Sequence, residues 1–178
     1  MARRPRREVA LPQIYLPPWR IDFIVRDRVT SPLPARSLAR LATRALGSAH
    51  AISPASLGLI LSDDEELASL NDEHMGHRGP TDVLSFPLLP PSAFPEHAGQ
   101  HPSVRGEQSA FALPPGRRPH LGDIILSVER AFEQAPKTPL DELRQLVVHG
   151  VLHICGWDHA DAAERDAMRA LERKVLTT

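Results

Sequence analysis

The stretch TPLDELRQLVVHGVLHICGWDH, residues 138–159, predicts a long helix that ends in a tight turn. Thr138 is a typical N-cap residue, and Pro139 suits the first helical position. Gly156 stands where the helix should end, because glycine readily adopts the left-handed conformation of a helix C-terminus. We therefore predict a helix over 138–155 that lies centrally in the fold. Its core-facing stripe consists of Leu140, Leu143, Val147, Val151 and Ile154.

Three histidines in this stretch have the spacing of metal ligands. His149 and His153 lie four residues apart, so their side chains project from successive turns of one helix face. His159 follows the turn at Gly156 and would return towards them. Three histidines with one position left open for water are typical of a catalytic zinc site rather than a structural one. We predict that one Zn²⁺ ion is bound by His149, His153 and His159, and that the remaining histidines, including His97, are solvated.

The same spacing occurs in a zinc protease signature, H-E-x-x-H-x-x-G-x-x-H. In those proteases the glutamate acts as the general base, but here Gly150 stands in its place. Glycine accepts no proton, so peptide hydrolysis by that mechanism is disfavoured. A zinc peptidase would need a base from outside the helix. Cys155 lies on another side of the helix from His153 and is expected to be a small buried residue.

Composition excludes several classes of protein. The chain has 178 residues, 18 of them proline, and a formal net charge of -1, so its net charge does not attract nucleic acid. A single cysteine permits no disulfide within the chain, which fits a reducing compartment. No apolar run approaches the ~20 residues of a membrane span. We expect a cytoplasmic protein without a membrane partner.

Hydrophobic patterns predict an α+β fold in which a four-stranded mixed β-sheet packs against about five α-helices. Residues 1–19 are rich in arginine and proline and are expected to form a flexible arm. Residues 20–178 are expected to form one domain with a proline- and histidine-rich insertion at 88–119. The predicted strands cover 20–25, 57–61, 83–86 and 121–127.

The last helix is expected to be amphipathic. Its predicted core stripe consists of Ala163, Ala167, Leu171 and Val175. Arg165, Arg169 and Arg173 share another face with acidic residues between them, which favours a solvated face over a track for RNA.

Three segments resemble the YbeY family of bacterial endoribonucleases. HGVLHICGWDH at 149–159 is similar to the family signature H-G-x-L-H-L-x-G-Y-D-H, while PTDVLSFP at 80–87 and LGDIILS at 121–127 resemble two further motifs in the same order. The similarity extends from about Ile21 to the end of the chain. Departures are Cys155 for leucine, Trp157 for tyrosine, and Met75 where family members often carry an arginine held to matter for RNA cleavage.

The resemblance implies a metal-dependent, single-strand-specific endoribonuclease. It implies a role in the maturation of ribosomal RNA, at the 3′ end of the small-subunit RNA, and in ribosome quality control. Single-stranded or ribosomal RNA and the small ribosomal subunit or its proteins are then the expected partners, and DNA is not expected. It places zinc on His149, His153 and His159.

The sequence offers three candidate catalytic residues beyond the ligands. Asp158, next to a ligand, could orient an imidazole or act as the base, and the orienting role is favoured. Arg78 could replace the arginine that Met75 displaces, and Asp82 could line the cleft. Besides the ribonuclease, two alternatives stay open. One is a zinc peptidase, and the other is a non-catalytic, zinc-stabilised module that binds RNA or the ribosome.

Overall fold

The computed structural model describes residues 8–10, 13–100, 118–135 and 138–178. The strands in this part of the chain are β1 (Glu8–Ala10), β2 (Ile14–Leu16), β3 (Trp19–Arg26), β4 (Ala55–Ser62), β5 (Val83–Pro87) and β6 (His120–Ser127). The α-helices are α1 (Ala35–Ser48), α2 (Asp64–Leu70), α3 (Val128–Glu133), α4 (Pro139–Ile154) and α5 (Ala162–Thr177). A π-helical turn at Asn71–Met75 and a 3₁₀ turn at Pro91–Ala93 complete the regular structure of the described residues.

The strands form one mixed sheet in the order β1-β3-β4-β6-β5, with β2 also paired to β3. Strands β3, β4 and β6 run parallel, while β5 is antiparallel to β6. The predicted α+β class with a mixed sheet and five helices is confirmed. The predicted number of strands was four, and these correspond to β3 to β6. The two further strands are short and antiparallel to the outer edge of β3.

Both additional strands come from the segment that we predicted to be a flexible arm. Ile14 pairs with Ile21 of β3, and its side chain is almost fully buried. Three-residue strands are too short to show the alternation by which a strand is recognised. The prolines that flank them also argue against a strand. The described part of this segment therefore belongs to the sheet, whereas residues 1–7 and 11–12 lie outside the described residues.

Helix α4 is the centre of the main core, as predicted. It packs against α1, α3 and α5 and against strands β5 and β6. Thr138 caps it, since its side chain accepts a hydrogen bond from the backbone N–H of Asp141 at 3.1 Å. Burial extends beyond the predicted stripe to Leu146, Val148, Gly150 and Leu152, whereas Leu140 is only partly buried. The opposite face of the sheet carries a smaller cluster around Leu67 of α2.

The described part of the 88–119 segment, residues 88–100 and 118–119, packs on the domain. Leu89 and Phe94 are buried in the main core. His97 stacks on Trp157 with ring centroids 4.0 Å apart, and its side chain is only 4% exposed. The prediction that His97 is solvated was therefore wrong, because no local pattern reveals a contact with a residue sixty positions away. Residues 101–117 lie outside the described residues.

Candidate metal centre

The last two turns of α4 and the loop after it bring the three predicted histidines together. The Nε2 atoms of His149 and His153 lie 3.0 Å apart. One ring nitrogen from each of His149, His153 and His159 falls in a group whose members are all within 4.8 Å of one another. Each ring of the three contacts the other two. The sequence spacing thus predicted a cluster that the fold assembles.

The donor set fits a tetrahedral metal ion. Zinc binds imidazole nitrogen at about 2.0–2.1 Å, so two ligands of a tetrahedral site lie about 3.3 Å apart, close to the distance between His149 and His153. Burial and the neighbouring rings of His149 and His159 lower the pKa of His153 to about 4. This imidazole is therefore neutral near pH 7 and keeps the lone pair that a metal ligand needs.

A buried carboxylate on α5 fixes the orientation of the first histidine. Glu172 is 6% exposed, and its Oε1 lies 2.8 Å from Nδ1 of His149. Its Oε2 accepts a hydrogen bond from Nε2 of Gln145, also at 2.8 Å. With its proton held on Nδ1 by Glu172, His149 presents the lone pair of Nε2 to the other histidines. Such a carboxylate–histidine pair is the usual way that a metal-binding imidazole is oriented.

Sequence reasoning missed Glu172 because it placed the core face of α5 one position away. The buried residues of the helix are Glu164, Met168, Glu172 and Val175, whereas the predicted Ala163 is exposed. Hydrophobic periodicity places the apolar alanines in the core stripe and leaves the glutamates out of it. Spacing of Glu164, Met168 and Glu172 at four-residue intervals was the signal that could have found this face.

The loop that carries His159 is shaped by a left-handed glycine and by two hydrogen bonds. Gly156 has a φ of 83°, the left-handed conformation that was predicted for it. Nε2 of His97 lies 3.1 Å from the backbone oxygen of Gly156, which anchors the turn to the 88–100 segment. Oδ1 of Asp158 accepts a hydrogen bond from the backbone N–H of His159 at 2.8 Å. The described contacts of Asp158 thus shape the backbone of the loop.

A cleft of about 410 Å³ opens beside the histidines, and we call it the metal cleft. It lies between the histidines, strand β5 and the π-helical turn at Asn71–Met75. Helix α2 continues directly into this turn, and Met75 at its end forms part of the wall of the cleft. The lining residues are Met75, Thr81, Asp82, Val83, Leu84, Ser85, Pro87, His149, His153 and His159.

Comparison with known proteins agrees with the resemblance seen in the motifs. The family model of Endoribonuclease YbeY matches residues 26–178. The endoribonuclease YbeY of Parvibaculum lavamentivorans is 37% identical over 140 residues, which are 77% of this chain and 69% of the relative. That of Azorhizobium caulinodans is 36% identical over 165 residues, 88% of this chain and 89% of the relative.

The chain belongs to the YbeY family of endoribonucleases. The predicted enzyme class, a hydrolase that acts on RNA, is thereby confirmed. A solution structure of a Thermotoga maritima protein aligns with 88% of this chain and 89% of its own, at a TM-score of 0.49 and 20% identity. Within the described residues, none of the helices is long and apolar enough to cross a membrane.

The glycine of the YbeY signature has a packing role in this chain. A Cβ atom built on Gly150 would lie 2.6 Å from Cγ2 of Ile124 in β6, closer than real Cβ contacts. The backbone oxygen of Gly150 accepts a hydrogen bond from Oγ of Ser85 in β5 at 3.1 Å. Position 150 therefore faces the sheet, and a glutamate there would collide with β6 before it could serve a metal.

Of the remaining candidates in this YbeY-family chain, one lines the metal cleft and the others lie outside it. Asp82 lines the metal cleft, and its Oδ1 accepts a hydrogen bond from the N–H of Val83 at 2.8 Å. Arg78 is exposed on the loop before β5 and is not among the residues that line the cleft. Cys155 is 1% exposed, and burial raises the pKa of its thiol to about 12, as befits a packing residue.

Proposed function

We propose that this chain cleaves single-stranded RNA by means of one zinc ion held by His149, His153 and His159. The observation that carries the proposal is the convergence of three imidazole nitrogens at the wall of an open cleft. Glu172 supports it, because it gives His149 the tautomer that a ligand requires. Membership of the family indicates RNA cleavage as the reaction, and the histidine cluster indicates where on the surface a metal ion would bind.

A bound zinc ion would act as a Lewis acid on a phosphoryl oxygen and lower the pKa of a water molecule to about 7. The protein contributes the surroundings of this step. Glu172 holds the proton on Nδ1 of His149, and Asp158 positions the backbone of His159. Asp82 is our candidate for the proton acceptor, since it is the carboxylate among the residues that line the metal cleft. Arg78 is our candidate for contact with an RNA phosphate outside the cleft.

The substrate that we propose is ribosomal RNA. The family's role in ribosomal RNA processing extends here to the 3′ end of the small-subunit RNA and to ribosome quality control. The small ribosomal subunit or its proteins would then be the partner, and the cytoplasm the place of action. Support comes from the family and from the position of the three histidines at the wall of an open cleft.

Metal analysis and an RNA cleavage assay test the proposal together. Wild-type protein, His153→Ala and His50→Asn are purified, and their zinc content is measured. Each is then incubated with a single-stranded RNA, with its duplex and with a panel of peptides. His50 is a matched control because it is exposed, it lies outside the cluster, and asparagine tolerates its positive φ of 52°.

We expect the wild type and His50→Asn to bind zinc and to cut the single strand in preference to the duplex. His153→Ala should lose both properties. Cleavage that persists in His153→Ala at the wild-type rate would overturn the proposal, and peptide cleavage without RNA cleavage would favour a peptidase instead.

A further inference from the structure

A second pocket lies beside the metal cleft, and the two share a pair of metal-site histidines. This pocket, which we call the arginine pocket, has a volume of about 330 Å³. His149 and His159 line both spaces, so the histidine cluster forms the boundary between them. The arginine pocket is lined by Gln145, His149, His159, Arg165, Met168, Arg169 and Glu172.

The charges of the two spaces differ. The residues that line the metal cleft include Asp82 but neither lysine nor arginine, and Met75 occupies part of its wall. A polyanionic strand that enters this cleft meets no cationic side chain among the described residues that line it. The arginine pocket, in contrast, carries two guanidinium groups on α5, those of Arg165 and Arg169. The positive charge next to the proposed metal site therefore lies across the histidines from the metal cleft.

The two guanidinium groups are available for a ligand. Arg165 is partly exposed and Arg169 is exposed. Within the part of the chain that the structure describes, neither side chain has a hydrogen bond or an ion pair. Glu172 lies in the same pocket, but both of its oxygens are already used, by His149 and by Gln145. The fold thus leaves two unpaired cations beside a carboxylate that is engaged elsewhere.

We propose that Arg165 and Arg169 bind a backbone phosphate of the RNA next to the one that is cleaved, an inference that rests on the proposed function. A guanidinium group offers several N–H donors in a planar fork that matches a phosphate. A strand that lies across the three histidines would occupy the metal cleft on one side and the arginine pocket on the other. Sequence reasoning favoured a solvated role for these arginines, because it could not show that two of them adjoin the histidines and the third does not.

Three variants separate this role from a general effect of charge. Arg165→Gln/Arg169→Gln removes both cations, and Arg165→Lys/Arg169→Lys keeps the charge without the fork. Arg173→Gln is the matched control, because Arg173 lies on the same helix and is exposed but does not line the pocket. Binding of a short 2′-O-methylated single-stranded RNA to the zinc-loaded proteins is measured by fluorescence anisotropy at several salt concentrations. Steady-state cleavage of the unmodified RNA is measured alongside.

For the double glutamine variant we expect the dissociation constant to rise about tenfold or more at low salt. In the cleavage assay KM should rise, with a smaller change in kcat. The slope of log K against log salt should fall by about 0.7, the value for one phosphate contact on a single strand. The double lysine variant should keep the slope of the wild type. The same affinity and slope in the double glutamine variant and in Arg173→Gln would overturn the inference. A wild type that binds the RNA but does not cut it would refute the proposed function and leave this comparison decisive.

Discussion

Replacing Glu172 by glutamine should weaken zinc binding without unfolding the protein. Glutamine keeps the size of the side chain but replaces one acceptor oxygen by an NH₂ donor. Since Nδ1 of His149 and Nε2 of Gln145 both donate to Glu172, at 2.8 Å each, one of them would then face another donor. The imidazole of His149 loses the charged partner that fixes its tautomer.

The magnitude follows from the geometry. Loss of a hydrogen-bond partner that orients a metal ligand costs about 10- to 100-fold in metal affinity, equivalent to about 1.4–2.7 kcal/mol. Glu172 is 6% exposed and engaged on both oxygens, so water cannot readily take its place. We therefore expect the zinc dissociation constant of Glu172→Gln to rise at least tenfold.

Competition with a chromophoric chelator at pH 7 measures this change, and ¹⁵N NMR of the histidine rings reports the tautomer of His149. Glu164→Gln is the control. Glu164 lies two turns earlier on α5 and is also buried, at 3% exposed, but its Oε1 lies 3.8 Å from Nε2 of His97. We expect the control to bind zinc within about twofold of wild type. Equal affinities for Glu172→Gln and wild type, or equal losses in both variants, would refute the orienting role.

Further predictions concern packing and pH. Gly150→Ala should lower the free energy of unfolding in urea by up to about 2 kcal/mol, because overpacking against Ile124 outweighs the gain in helix propensity. Gly47 in α1 is the control, because its new Cβ would make only ordinary van der Waals contact with Trp19, and Gly47→Ala should raise the free energy of unfolding by about 0.5–1 kcal/mol. A more stable Gly150→Ala and a less stable Gly47→Ala would contradict the packing argument. In metal-free protein, the neutral His153 contributes stability above pH 6.5 that is lost as pH falls towards 4, so His153→Asn should flatten this decrease. The carboxylate of Asp123, 2.9 Å from Nε2, raises the pKa of His120. His120 therefore contributes stability below pH 6.5 that is lost as pH rises through the raised pKa. Urea titrations from pH 4 to pH 9 measure the free energy of unfolding of each variant. If His120→Asn showed the same pH dependence as the wild type, the ion pair between His120 and Asp123 would be contradicted.

Features that depend on neighbours along the chain could be predicted from the sequence. The cap at Thr138, the helix that follows it and the left-handed Gly156 are all set by local backbone preferences. The spacing of His149 and His153 is equally local, because a helix places residues four positions apart on one face. For this reason the sequence alone identifies the three ligand candidates.

Features that depend on distant contacts were decided by the tertiary structure alone. Pairing of β1 and β2 with the edge of β3 turned a supposed arm into part of the sheet. Close approach of α4 to Ile124 explains the glycine at position 150, which the sequence showed only as a missing glutamate.

The orientation of the His149 imidazole also depends on a contact between residues that are distant in the sequence. Glu172 lies 23 residues beyond His149, and the core stripe predicted for α5 does not include it. Only the packing of α5 on α4 shows that this carboxylate is buried against an imidazole. Local sequence determined which side chains could bind the metal, and tertiary packing decided which groups hold and surround them, because burial and hydrogen bonding join residues that the sequence keeps apart.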